Sequence, residues 1–131
     1  MINTGIYDYI NVLDKAADAS YLRNEAIANN IANDDTPGYK RVDVDFQSVL
    51  ATEIGKSKYV SLDRKIKDVN LSHLDVTVKT DMSSYPFSYR LDGNNVDMDT
   101  ENVELAAKQI TYQALVDSMG QEFTRIKSVM N

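Results

Sequence analysis

The chain has 131 residues, 14 Lys and Arg against 20 Asp and Glu, a net charge of −6 and no cysteine. Its length suits one domain or structural unit, and the missing cysteines exclude disulfides, thiolate catalysis and cysteine-ligated zinc together. Binding to a phosphate backbone draws on clustered Lys and Arg; no basic run of five or more occurs, so nucleic acid is not an expected partner.

Glycine and proline are scarce, with 5 and 2, which favours long helices over short strands. Residues 1–14 hold no basic segment followed by an apolar one, so no cleavable secretory signal is expected. No apolar run approaches the roughly 20 residues of a membrane helix, and direct membrane insertion is not expected.

From about Asn3 or Thr4 to about Asn33, apolar and small residues recur in an alternating 4,3 spacing: Ile6, Ile10, Leu13, Ala17, Ser20, Asn24, Ile27 and Ile31. That step averages 3.5 residues and keeps the stripe on one side of a helix, as a coiled-coil seam requires. Thirty residues would span roughly 45 Å. A second row, Tyr9, Val12, Ala16, Ala19 and Ala26, flanks the seam, and its alanines permit close approach of another helix. Both rows equally fit one ordinary core.

Asn33-Asp34-Asp35-Thr36-Pro37-Gly38-Tyr39 ends the helix, with Asn33 expected as a left-handed cap. Pro37-Gly38 suits the centre of a type II turn, proline fixing φ near −65° and glycine taking positive φ. Val42, Val44 and Phe46 then alternate with polar residues, as in a short half-buried strand. Phe46, Val49, Leu50 and Ile54 share a helical face, predicting a short helix with Asp45 as N-cap and Gly55 beyond its end.

Residues 56–84 are polar and weakly patterned; Val76, Val78 and Thr80 hint at a strand. Tyr85, Phe87, Tyr89 and Leu91 alternate into an Asp92-Gly93 turn, with Val96 and Met98 beyond, predicting a hairpin. A second 4,3 stripe follows: Leu105, Gln109, Tyr112, Val116, Met119, Phe123, Ile126 and Met130. Asp99 or Thr100 caps this helix, Glu101 and Glu104 oppose its dipole in the first turn, and no stop signal precedes Asn131. The expected fold is therefore mainly α. Long N- and C-terminal helices (1–34 and 97–131) pair as a discontinuous coiled-coil unit, and 35–96 form a small extended or β-hairpin linking segment.

Catalytic chemistry is not evident. His73, the single histidine, has no partner at ligand or triad spacing. An EF-hand starting at Asp92 would need glycine sixth and glutamate twelfth, where Asp97 and Val103 stand. No phosphate loop, HExxH or GxSxG is present, so neither an enzyme nor a cofactor or metal site is expected.

Two segments carry a resemblance. Ala28-Asn29-Asn30-Ile31-Ala32-Asn33, followed by Thr36-Pro37-Gly38-Tyr39-Lys40, resembles the N-terminal motif of axial proteins of the bacterial flagellum: rod, hook and hook-associated proteins. The stretch from Asp92-Gly93-Asn94-Asn95 to Tyr112-Gln113-Ala114-Leu115 is similar to the C-terminal half of a proximal-rod member of the basal-body rod family. A second proximal-rod paralogue, of similar length, is the nearest competitor.

The resemblance implies a motility protein whose terminal helices form the inner layer of a helical, hollow drive shaft. It further implies export by the flagellar type III apparatus without a cleavable signal. The implied partners are other copies, rod paralogues, a basal adaptor, the membrane ring and the export gate. With the seam used inside the helix pair, two rows remain for inter-subunit contacts: Tyr9, Val12, Ala16 and Ala19 on one helix, Val103, Ala106, Ile110 and Ala114 on the other. Asn24 and Gln109 in the seam either fix register or are solvated. Phe46-Gln47-Ser48-Val49-Leu50 resembles the export signal of rod and hook substrates, with Phe46 and Leu50 as its anchors; it equally fits an amphipathic turn packing inward. The competing readings are a cytosolic coiled-coil adaptor or chaperone, which would be a stable dimer, and a small hydrolase, which lacks its nucleophile and base.

Overall fold

Helix α1, Gly5–Ala32, is a single uninterrupted rod in the computed structural model, which describes residues 5–80 and 90–130. No proline or glycine interrupts it after Gly5, and six of its residues are alanine, the strongest helix former. It ends at Asn33, whose backbone N–H donates to the carbonyls of Asn29 and Asn30 while its side-chain amide donates to Asn29 O at 2.8 Å. Asn33 is therefore not the left-handed cap expected: among the described residues only Gly38 and Gly93 have positive φ. Gly38, at φ 71°, occupies the turn predicted for Pro37-Gly38, closed by Tyr39 N–H donating to Thr36 O.

Strand β1, Val42–Asp43, pairs antiparallel with β2, Lys79–Thr80, so Val42 faces Thr80 and Asp43 faces Lys79. This is the small middle sheet. The other expected strand, Tyr85 to Tyr89, lies outside the described residues. Of the residues beyond the Asp92-Gly93 turn, Val96 is buried in a loop and Met98 opens a helix.

Helix α2, Phe46–Lys56, begins where predicted, because the Asp45 carboxylate accepts from Ser48 N–H at 3.1 Å and from the Ser48 hydroxyl. It runs through Gly55 to Lys56, two residues past the expected stop. Residues 56–80 contain two elements that the pattern did not reveal: helix α3, Leu62–Asp68, and a 3₁₀ turn, Leu71–Leu74. Each is too short to show a period and carries a single fully covered apolar anchor, Ile66 and Leu74. These anchors meet Val12 of α1 in a core bordered by Tyr9, Phe46, Val49, Leu50 and Ile54. Polar ties add to it: Tyr9 OH donates to Asp63 at 2.6 Å, Lys15 pairs with Asp75, and Arg23 with Asp43 at 3.0 Å.

Helix α4, Met98–Met130, starts one residue before the predicted cap. Asp97 performs the capping, accepting from the backbone N–H of Asp99 at 3.1 Å and of Thr100. It packs antiparallel to α1: Asn30 meets Glu101 at one end, and Ile10 shares a groove with Met119 and Phe123 at the other.

Candidate assembly site: an interlocked helix junction and an uncovered helix face

Both resembling segments come together where α1 ends and α4 begins. Asn30, fully buried on the last turn of α1, is the hub. Its amide donates to Val42 O at 2.8 Å and to Glu101 Oε2 at 3.2 Å; its carbonyl oxygen accepts from Val42 N–H at 2.8 Å and from Tyr39 OH at 3.1 Å. All four hydrogen-bonding positions of one side-chain amide are thus used, which fixes its orientation.

Glu101, 1% exposed, is balanced by Arg41, whose Nε lies 2.8 Å from Oε1. A carboxylate this deep needs such a partner, since an isolated buried charge is costly. Burial first, and then the Glu101 charge, push the Tyr39 phenol above its ordinary value, so it stays a neutral donor to Asn30.

The second half of the junction is a pair of facing turns. Asn94, also fully buried, donates to the carbonyls of Asn33, Asp34 and Thr36 at 2.8–2.9 Å, holding the turn that follows α1. Gly38 N–H donates to Asp92 O at 2.7 Å, and Lys40 Nζ to Gly93 O at 2.5 Å. Arg90 pairs with Asp34 at 2.9 Å and Asp92 at 3.2 Å, and Arg41 N–H donates to Asn95 Oδ1 at 2.7 Å. Gly93, at φ 77°, brings its backbone against Gly38: a Cβ there would lie 3.7 Å from Gly38 Cα. The turn-motif residues Asn30, Asn33, Thr36, Gly38 and Tyr39 all take part in the junction, while Asn29 contributes through its carbonyl and Pro37 through its ring geometry.

Away from the junction the helices differ. In α1, Ile10, Ala17 and Ile27 are buried, Leu13, Asn24 and Ile31 half-buried; the Ile6 side chain lies outside the described set. Along α4 the covered stripe runs Leu105, Lys108, Leu115, Met119, Glu122 and Ile126. It shares Leu105, Met119 and Ile126 with the predicted seam, but the alternate positions step to the other side. Gln109, Tyr112, Val116, Phe123 and Met130 are exposed, with Val116 and Phe123 bordering the groove beside Ile10.

The two rows expected to meet neighbours also differ. Val12 is buried because α2, α3 and the 3₁₀ turn cover that side of α1, and Ala19 is buried where Phe46 and Leu50 of α2 and Leu115 of α4 come together; Tyr9 and Ala16 are half-covered. On α4, Val103 and Ile110 are each 70% exposed, and Ala106 and Ala114 lie open beside them. Phe46 and Leu50 pack inward against the core. Arg41, Asn94 and Asn95 were not singled out by sequence reasoning, and Glu101 was assigned only to the helix dipole. Asn94, Asn95 and Glu101 lie inside the second resembling segment, and Arg41 directly follows the first, which is the signal the sequence offers.

The sequence model of the family described as flagella basal body rod protein matches residues 10–40. The flagellar basal body rod protein FlgB of Bacillus subtilis (strain 168) is 37% identical over 121 residues, 92% of each chain. The FlgB proteins of Borrelia hermsii, 33% identical over 92% of this chain and 94% of its own, and of Escherichia coli (strain K12), 32% identical over 83% and 80%, are similar too.

Proposed function

Because this chain belongs to the FlgB family of flagellar basal body rod proteins, we propose that it polymerises through its terminal helices into the hollow proximal rod. That shaft transmits torque and leaves a passage for exported subunits. Residues 1–34 and 97–131 are the inner helical unit of the reading, and 35–96 a small outer segment that braces α1.

The observation that carries it is the uncovered apolar face of α4. Val103 and Ile110, seven residues apart on one side of the helix, are each 70% exposed, with Ala106 and Ala114 open beside them, an apolar row that a solitary soluble chain has no reason to keep. Copies meeting through such non-reciprocal faces build an open helix. The half-open Tyr9 and Ala16, with Ala106 and Ala114, complete the contact set. Leu105, Met119 and Ile126 hold the pair together inside each subunit.

Delivery is by the flagellar type III export gate, with Phe46 and Leu50 as the signal. Both side chains pack inward in the folded chain, so the signal is read before folding. Neighbouring rod paralogues, a basal adaptor and the membrane ring are the remaining partners, at the cell-envelope side of the basal body.

Ile110→Asp tests the reading. Secretion of the variant continues while basal bodies lose the chain and cells stop swimming. Normal motility in Ile110→Asp cells, with the variant present in their basal bodies, overturns it.

A further inference from the structure

Charge on this molecule is sharply uneven. Residues 56–67 hold five of the 14 Lys and Arg and one of the 20 Asp and Glu, a net +4, which leaves −10 on the rest. The cations crowd an exposed apolar surface: Tyr59 is 37% exposed, Val60 96% and Leu62 58%. Lys58 and Arg64 stand over the Tyr59 ring at 5.6 and 5.9 Å. A shallow hollow opens between Tyr59, Arg64, Lys67 and Asp68, its two cations outnumbering the one carboxylate. Basic side chains rimming exposed apolar residues form a docking surface for an acidic partner.

The partner's chemistry is present on the same chain. At the junction end, where Gly38 of one turn meets Asp92 of the other, Leu91 is fully exposed, and Asp35, Asp97 and Asp99 on the same two segments are exposed as well. The two surfaces cannot meet within one molecule. Asp63 is tied to Tyr9 near the start of α1 and Asp34 follows its end. Twenty-five residues of helix separate them, about 35–40 Å.

We infer that the basic surface of residues 56–67 receives the acidic junction end of a second copy of this chain, with Leu91 seated beside Tyr59 and Val60. The contact is head-to-tail and does not close on itself. It rests on the polymerisation proposed above and adds to the α4 face a second contact, made by the middle segment.

The chain has no cysteine, so introduced ones report cleanly. A Lys58→Cys, Asp99→Cys double variant is expressed in place of the natural chain, and purified basal bodies are treated with a short bis-maleimide. The expected result is a ladder of dimers and higher species, with no ladder from either single variant. Lys58→Glu with Arg64→Glu lowers incorporation of the chain by roughly tenfold. Adding Asp35→Lys and Asp99→Lys, exposed positions that leave the Asp97 cap intact, restores it to within about twofold. Basal bodies that contain the double-cysteine chain but yield only monomer, or a product with a different chain, overturn the inference and leave the proposed function standing. So does failure of the charge swap to restore incorporation. A chain absent from wild-type basal bodies instead overturns the proposed function, and this contact with it.

Discussion

Replacing Asn30 by alanine removes four hydrogen bonds at once. Val42 loses partners for both its N–H and its C=O, each at 2.8 Å, Tyr39 loses its acceptor, and Glu101 loses one of its two donors. An unsatisfied backbone group in a covered site costs about 1 kcal/mol or more, and a bond to a charged group about 1.5–3 kcal/mol. The expected destabilisation is therefore roughly 3–5 kcal/mol, a large share of the 5–15 kcal/mol typical of a small protein. In urea unfolding followed by far-ultraviolet circular dichroism, with a slope of about 2 kcal/mol per molar, the midpoint falls by roughly 2 M. Asn30→Asp sharpens the test. It keeps the acceptor but places a second carboxylate 3.2 Å from Glu101, so one of the pair has a folded pKa raised above its unfolded value near 4. The variant then comes closest to wild type below about pH 4 and loses stability as pH rises through that raised value. A midpoint change under about 0.5 M for Asn30→Ala, or an Asp variant whose deficit does not grow from pH 4 to 7, refutes the hub.

Four further outcomes follow from the same geometry. Asp45→Ala removes the α2 cap and costs about 1 kcal/mol. Because the Ser48 hydroxyl and N–H hold the Asp45 carboxyl below its usual value, its contribution is present above about pH 4 and lost on acidification, so wild-type and Asp45→Ala melts converge in acid. Gly93→Ala forces an alanine to φ 77° and costs on the order of 1 kcal/mol in thermal denaturation, whereas Gly55→Ala, in open space within α2, is neutral to stabilising. Leu74→Ala, at a side chain 1% exposed, costs about 2–5 kcal/mol by urea unfolding; Leu91→Ser, fully exposed, costs under about 0.5 kcal/mol. In amide exchange of the free chain, the first turns of α4, tied through Glu101 and Asp97, are protected far longer than its last turns, where Val129 and Met130 are exposed.

The long helices were legible because each runs through many periods of the same spacing, and the Thr36-Pro37-Gly38-Tyr39 turn because glycine after proline has one strong geometric reading. Asp45 was legible as a cap for the same local reason. Helix α3 was not, since seven residues with one buried anchor, Ile66, leave no periodicity to detect. Without α3 and the 3₁₀ turn against α1, Val12 reads as free surface in the sequence. The junction was legible only as two motifs, because its bonds join residues far apart in sequence, such as Asn94 with Asn33 and Arg41 with Glu101. The alternate positions of α4 shifted for a different reason. Lys108 and Glu122 are half-buried in the stripe although they are charged; each has a long stem able to cover apolar surface and a partner on its own helix, Glu104 at 3.8 Å and Arg125 at 2.7 Å.

The contact between Asn30 and Glu101 joins residues 71 positions apart. Closing a flexible loop of that length costs about 4 kcal/mol of chain entropy before any bond repays it. During synthesis, which proceeds amino end first, this contact cannot form until Glu101 is free of the ribosome, so α1 waits for α4 before the two helices mate.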